Sequence, residues 1–227
     1  MNEDLDGVAT WSTRNALVLN PSKSKFMVLG TKRQIDRIVA ADPRVAVMGN
    51  TVNRVDEAKN LGVMLDSRLR FESHVQNLFK ICFYRLKVLY KVRSFLSEKA
   101  RITLVESLIL SKLNYADLVY GPRLSVGSQQ RIQRIQNACC RFCFNIPPRS
   151  HVTPYLNSAS MLNMESRRRL HLATMMFDLV KFKNPEYLYA KLKFSVSQRV
   201  IMVNIFITKT YFLILKFGHQ YNLISEC

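Results

Sequence analysis

Cys140-x2-Cys143 followed by His151 sets two thiols and an imidazole at spacings used by zinc ligands. A fourth ligand at matching spacing is missing, and Cys139 and Cys143 share a helical face with Ile132, Ile135 and Phe142. The thiols are therefore expected to pack, and no metal is assigned. Lys23 and Lys25 leave the Asn20-Pro21 turn, where a lysine can reach a phosphate; an ordinary basic turn fits the same residues. His74 and His171 lack carboxylate or Cys companions close in sequence, so neither is expected to act as a general base. There is no Gly-rich phosphate loop, Gly-x-Ser-x-Gly elbow or His-Glu-x2-His helix.

Charge is the strongest remaining signal. The 227 residues carry 34 Lys plus Arg against 16 Asp plus Glu, a formal net charge of +18 threaded through the chain. Such a surplus repels itself unless an anion neutralises it, and a polyphosphate backbone is the foremost candidate. Arg85, Lys87, Lys91, Arg93, Arg131, Arg134, Arg141, Arg167, Arg168 and Arg169 are candidate phosphate contacts, each also readable as part of a solvated face. Tyr84, Tyr90 and Phe95 interleave with the first of them and can stack on bases or pack. A membrane surface fits less well, because the cations do not form one stripe opposite Trp, Phe and Leu. Five cysteines without paired spacing read as free thiols and, with no secretory leader at Met1, point to an intracellular site. Asn204, Thr208, Lys209 and Thr210 interrupt the apolar stretch 200–217, which argues against a spanning helix.

These residues need elements to hold them. Leu5, Val8, Ala9, Ser12, Ala16 and Leu17 are spaced as one helix stopped by Asn20-Pro21. A strand is expected at Phe26–Leu29, a hairpin over 45–55 turning at Gly49-Asn50, and a strand over 60–66. Beyond Ser67 the period becomes helical. Val75, Leu78, Cys82, Leu86 and Leu89 mark one helix. Leu104 to Val119 mark a second, starting near Ser97. Ile132 to Phe142 mark a third, ending before Pro147-Pro148. The fourth runs from Glu165 to about Lys183 with Leu170, Ala173, Phe177 and Val180 inward. After Tyr189 the pattern loses order. The fold class is α+β, a small α/β piece followed by a helical module.

Several collinear motifs resemble non-LTR retrotransposon reverse transcriptases, especially the jockey-like group. They are Trp11-x3-Asn15-x-Leu17-x-Leu19-Asn20-Pro21-x-Lys23-x-Lys25-x-Met27, Asn60-Leu61-Gly62-Val63-x-Leu65-Asp66 and Phe71-x2-His74. Leu108-Ile109-x-Ser111-x-Leu113-x-Tyr115, Val119-Tyr120-Gly121, Arg131 to Asn137, Arg167 to His171 and Asn184 to Leu188 continue the series.

The resemblance implies that residues 1–66 are the end of a polymerase palm and 67–189 a helical thumb with connecting helices. Residues 190–227 are a poorly organised apolar tail, foreign to the family. It implies RNA-directed DNA polymerisation with two Mg ions held by palm carboxylates, and a segment starting after the Tyr/Phe-x-Asp-Asp hairpin that supplies them. This chain is then expected to be a truncated fragment, inactive alone, that binds an RNA or DNA template-primer backbone and has lost its palm and fingers. Lys23 is implied near the incoming triphosphate, and Leu61-Gly62 in the turn that grips the primer end, although a Gly in a bent strand fits too. Tyr115-Ala116-Asp117-Leu118 carries only one of two required carboxylates, and Asp117 is read as structural or surface. A non-enzymatic nucleic-acid-binding or interaction protein reusing the helical module is the alternative.

Overall fold

The computed structural model describes residues 2–159, 161–197, 200–206 and 212–217. Helix α1 spans Asn2–Arg14. It ends earlier than expected, because Ala16 takes a left-handed φ of 55° before the Asn-Pro stop is reached. Asn20-Pro21 instead opens a tight 3-10 turn at Pro21–Lys23, whose amide at Lys23 donates to the Asn20 side chain at 3.2 Å. Strand β1, Lys25–Phe26, follows, and the strand expected to reach Leu29 stops there. Helix α2, Lys32–Ala40, has no counterpart in the sequence reading, although Thr31 and Gln34 form a reciprocal capping box at its start.

Five more short strands complete the mixed piece. Strands β2 (Ala46–Val47) and β3 (Asn50–Thr51) form a hairpin. Its turn is Met48-Gly49, one residue before the expected position, with φ of 51° and 75°. Positive φ at both central residues marks the mirror-image turn that matches strand twist, and it favours Gly second. Strand β4, Asn53–Arg54, then pairs in parallel with β1, Lys25 opposite Asn53. Strands β5 (Glu57–Asn60) and β6 (Val63–Asp66) are antiparallel. The strand expected through residues 60–66 is thus broken at Leu61-Gly62, where φ values of 44° and 85° make a second turn of the same kind.

The helical module begins where the period changes. Asp66 accepts backbone N–H groups from Arg68 at 3.0 Å, Arg70 at 3.1 Å and Phe71 at 2.6 Å, curling the chain into helix α3, Glu72–Val92. Val75, Leu78, Cys82, Leu86 and Leu89 are all buried on its inner face, as their spacing predicts. The second predicted helix is divided. Helix α4, Glu98–Val105, widens into a π turn over Glu106–Leu110 and continues as α5, Ser111–Asn114. Ala116 at φ 55° then breaks it, and α6, Asp117–Tyr120, starts anew. The π turn keeps Val105, Ile109 and Leu113, four residues apart, on one fully buried line.

Helix α7, Val126–Phe144, is capped by Ser125 and stops at Asn145 before the prolines. Helices α8 (Thr153–Ser158), α9 (Met164–Phe182) and α10 (Glu186–Tyr189) follow. The inward face of α9 is Met176 and Leu179, at 1% and 3% exposure, whereas Leu170 and Phe177, expected inside, are 52% and 45% exposed. Strands β7 (Leu192–Ser197), β8 (Val200–Phe206) and β9 (Phe212–Phe217) form an antiparallel meander in the segment where the sequence reading finds no order. The fold is α+β with a helical module. Two compact units are present, Met1–Arg168 and Arg169–Cys227, and the expected break at residue 67 lies inside the first. One cluster joining β6, α3, α4, α5 and α7 forms the core of that unit.

Candidate nucleic-acid interface

The thiols do not converge. Cys139 and Cys143 pack in the main core with Ile132, Ile135 and Phe142, while Cys140 faces a separate cluster with Ile146, Val152 and Leu156. Burial pushes Cys140 up to about 11 and Cys143 to about 12, which favours neutral thiols over metal-binding thiolates. Among the described residues no group of three His, Cys, Asp or Glu could hold a metal, and no helix is long and apolar enough to cross a membrane.

Asp117 is 3% exposed in the first turn of α6, so it is a buried residue of the scaffold. The adjacent Tyr120 phenol donates to the Leu113 carbonyl, and its titration is raised by burial and then by Asp117. His74 is 5% exposed and its Nδ1 accepts from the Met64 amide at 3.4 Å, joining α3 to β6. Its ring meets that of Tyr120 edge-on at 4.9 Å. Burial pulls its titration below the ordinary histidine range.

The basic residues divide into two sets. Arg93 is half-buried, its Nε donates to the Phe142 carbonyl at 3.0 Å, and Arg101 reaches the same oxygen at 3.4 Å. Two cations thus meet the carbonyl end of α7, where the helix dipole favours positive charge. The Arg93 guanidinium also lies over Tyr90 and Phe142 at 5.6 and 5.8 Å. Arg85 donates to the Leu108 carbonyl in the π turn. Arg141 donates to the carbonyls of Pro147 and Ser150, the latter at 2.8 Å. Arg167 and Arg168 are half-buried, with both Nε atoms enclosed and without hydrogen-bond partners. Arg168 crosses Gly121 so closely that an added Cβ there would fall 2.1 Å from its Nε.

The second set faces solvent. Lys80, Tyr84, Lys87 and Lys91 occupy one outward face of α3 at helical spacing, with Tyr84 at 70% exposure. No acidic residue occurs between Ser73 and Ser97. Phe95, just past the helix, is 86% exposed, whereas Tyr90 packs edge-on against Phe142 at 5.1 Å. Arg131 and Arg134 are exposed one turn apart on α7, and Lys23 and Lys25 are exposed around the Asn20-capped turn. Arg169, also exposed, has an interaction partner of its own and lies in the second unit. Leu61 is 83% exposed at its hairpin tip, and that tip is held by Tyr115, whose phenol donates to the Leu61 carbonyl at 2.6 Å. Tyr115 and Arg101 have no assigned role in the sequence reading. A tyrosine two residues past the inward Leu113 is the only local hint of such a tether.

An α+β chain with a one-signed helix face is the setting in which sequence similarity becomes informative. The chain is similar to the probable RNA-directed DNA polymerase from transposon X-element of Drosophila melanogaster, 31% identical over 137 residues. That stretch is 58% of this chain and 14% of the relative's length, so the chain spans a small part of the protein it matches. No family model and no solved structure matches. The similarity supports a relationship to transposon reverse transcriptases.

Proposed function

We propose that the chain is a section of a non-LTR, jockey-like retrotransposon reverse transcriptase, with residues 1–66 ending the palm and 67–189 forming a thumb that holds template and primer. The observation that carries this reading is the outward face of α3, where Lys80, Lys87 and Lys91 flank Tyr84 without a carboxylate in that stretch. Lysines at helical spacing contact phosphates without reading bases, which is what a polymerase needs from a part that tracks a moving duplex. Lys23 and Lys25, with the Leu61-Gly62 tip, add contacts nearer the primer end.

Polymerisation by the family uses Mg ions held by a pair of palm carboxylates. Residues 1–227 contain no Asp-Asp pair, and Asp117 is buried. These residues therefore hold substrate, and further palm and fingers supply the chemistry. Val8, Trp11, Leu17 and Val18, between 50% and 92% exposed, suit a surface covered by such neighbouring sequence.

Fluorescence anisotropy with the full chain and a labelled RNA–DNA primer-template tests the proposal. Binding is expected to weaken steeply with salt, and Lys87→Ala with Lys91→Ala to flatten the slope of log affinity against log salt by about 2. Salt-insensitive binding, no binding at low salt, or nucleotide incorporation by the chain alone with Mg or Mn would overturn it.

A further inference from the structure

We infer that the cavity bordered by α7, α8 and the start of α9 is a pocket for one unpaired nucleotide, its phosphate met by guanidinium groups and its base by carboxamides. The inference deepens the proposed nucleic-acid role and rests on it only for where the nucleotide comes from. The cavity has a volume of about 630 Å³ and lies wholly within the first unit. That size falls in the ~300–1,000 Å³ range of small-molecule sites.

The lining matches a nucleotide part by part. Arg141, Arg149, Arg168 and His151 border it, against one carboxylate, Glu165. A guanidinium fork matches two phosphate oxygens at once. Gln130, Gln133, Asn137 and Asn157 line the same space. A carboxamide presents a donor beside an acceptor, the pattern of a base edge. Leu156 and Met161 add apolar surface for the flat face of a base. A bare anion would have no use for the amides, and an apolar ligand none for the arginines.

The site is also built in advance. Arg141 folds the loop after α7 back by gripping the carbonyls of Pro147 and Ser150, and so holds Arg149 and His151 at the rim. Gln133 donates to Gln136 and Asn137 at 2.9 Å each and accepts the Met164 amide at 3.0 Å, fixing the wall between α7 and α9. Groups facing the cavity retain unused capacity. Arg149 forms no ion pair, and the side chains of Gln130 and Asn157 make no hydrogen bond, among the described residues. Unstacked bases are read through their edges, so a nucleotide splayed from a strand and a free one present the same chemistry.

The test uses the full chain with a blunt duplex, the same duplex carrying a short single-stranded extension, and adenosine 5′-monophosphate as a separate probe. The extension is expected to tighten binding about tenfold. Arg149→Ala combined with Asn157→Ala, both exposed positions, removes that gain and leaves blunt-duplex affinity unchanged; Lys87→Ala with Lys91→Ala weakens both duplexes alike. An unchanged thermal midpoint confirms that the variants fold. Displacement of the extension by the monophosphate assigns free nucleotides as well as strand ends, and failure to displace restricts the pocket to strands. Binding of monophosphate without any duplex binding would sink the thumb reading and keep the pocket. Equal affinity for blunt and extended duplexes together with no monophosphate binding, or no loss in the double variant, would overturn the inference.

Discussion

The Tyr115 phenol donates to the Leu61 carbonyl at 2.6 Å, linking residues 54 positions apart, and its ring packs on Gly62. The β5–β6 hairpin is thus pinned to the helical module at its tip as well as at its base. Tyr115→Phe keeps the ring and loses the bond, at a cost of about 1 kcal/mol. Gly62→Ala costs more, because φ is +85° and the new Cβ meets the Tyr115 ring at 3.3 Å. Urea midpoints of the two variants check the order.

Arg93 and Lys91 are two residues apart and act differently. Arg93→Ala leaves the Phe142 carbonyl with only the longer Arg101 bond and removes a cation from the end of α7, and it is expected to destabilise the fold by about 1–2 kcal/mol. Lys91→Ala, on the outward face, leaves stability within about 0.5 kcal/mol. Paired denaturation and duplex-binding curves separate the two roles: Lys91 moves the second, Arg93 the first.

Asp66 arranges three backbone amides ahead of α3. In Asp66→Ala those donors lose their acceptor, and the expected cost is about 1–3 kcal/mol. Hydrogen exchange then rises first at Arg68, Arg70 and Phe71. Uniform exchange across the chain would contradict a local role.

Stability is expected to fall on both sides of neutrality. His74 titrates below 6.5 in the fold, so the unfolded chain binds its proton first, and stability declines as pH drops through 6.5 toward the folded value. Cys82 is held by burial at about 11 against an ordinary 9.0, so its contribution is complete below 9.0 and vanishes as pH rises to about 11. Urea midpoints across this range should trace a plateau with two shoulders. His74→Gln is expected to flatten the acid one and Cys82→Ala to reduce the alkaline one.

The long helices were legible because their inner faces are uninterrupted: Val75 to Leu89 and Ile132 to Cys143 keep helical period and are buried as read. Helix α2 escaped because none of its residues is fully buried, so its signal lies in the Thr31–Gln34 cap. The break at Ala116 has no local mark, since alanine favours the helix it interrupts. On α9 the apolar residues surround the helix, so period alone does not separate Leu170 from Met176. The cations were legible as a class. Their division into Arg93 and Arg141, which hold carbonyls, and Lys87 and Lys91, which do not, depends on partners distant in the chain.

One joint of the scaffold is held without charge. The seam from α7 to the first residue of α9 is sewn by Gln133 and Gln136, whose amides carry no net charge, Gln136 donating to the Leu162 carbonyl at 2.7 Å. Neutral stitches feel neither counterions nor protons in the way an ion pair does. Brine strong enough to screen every surface lysine should leave this joint closed.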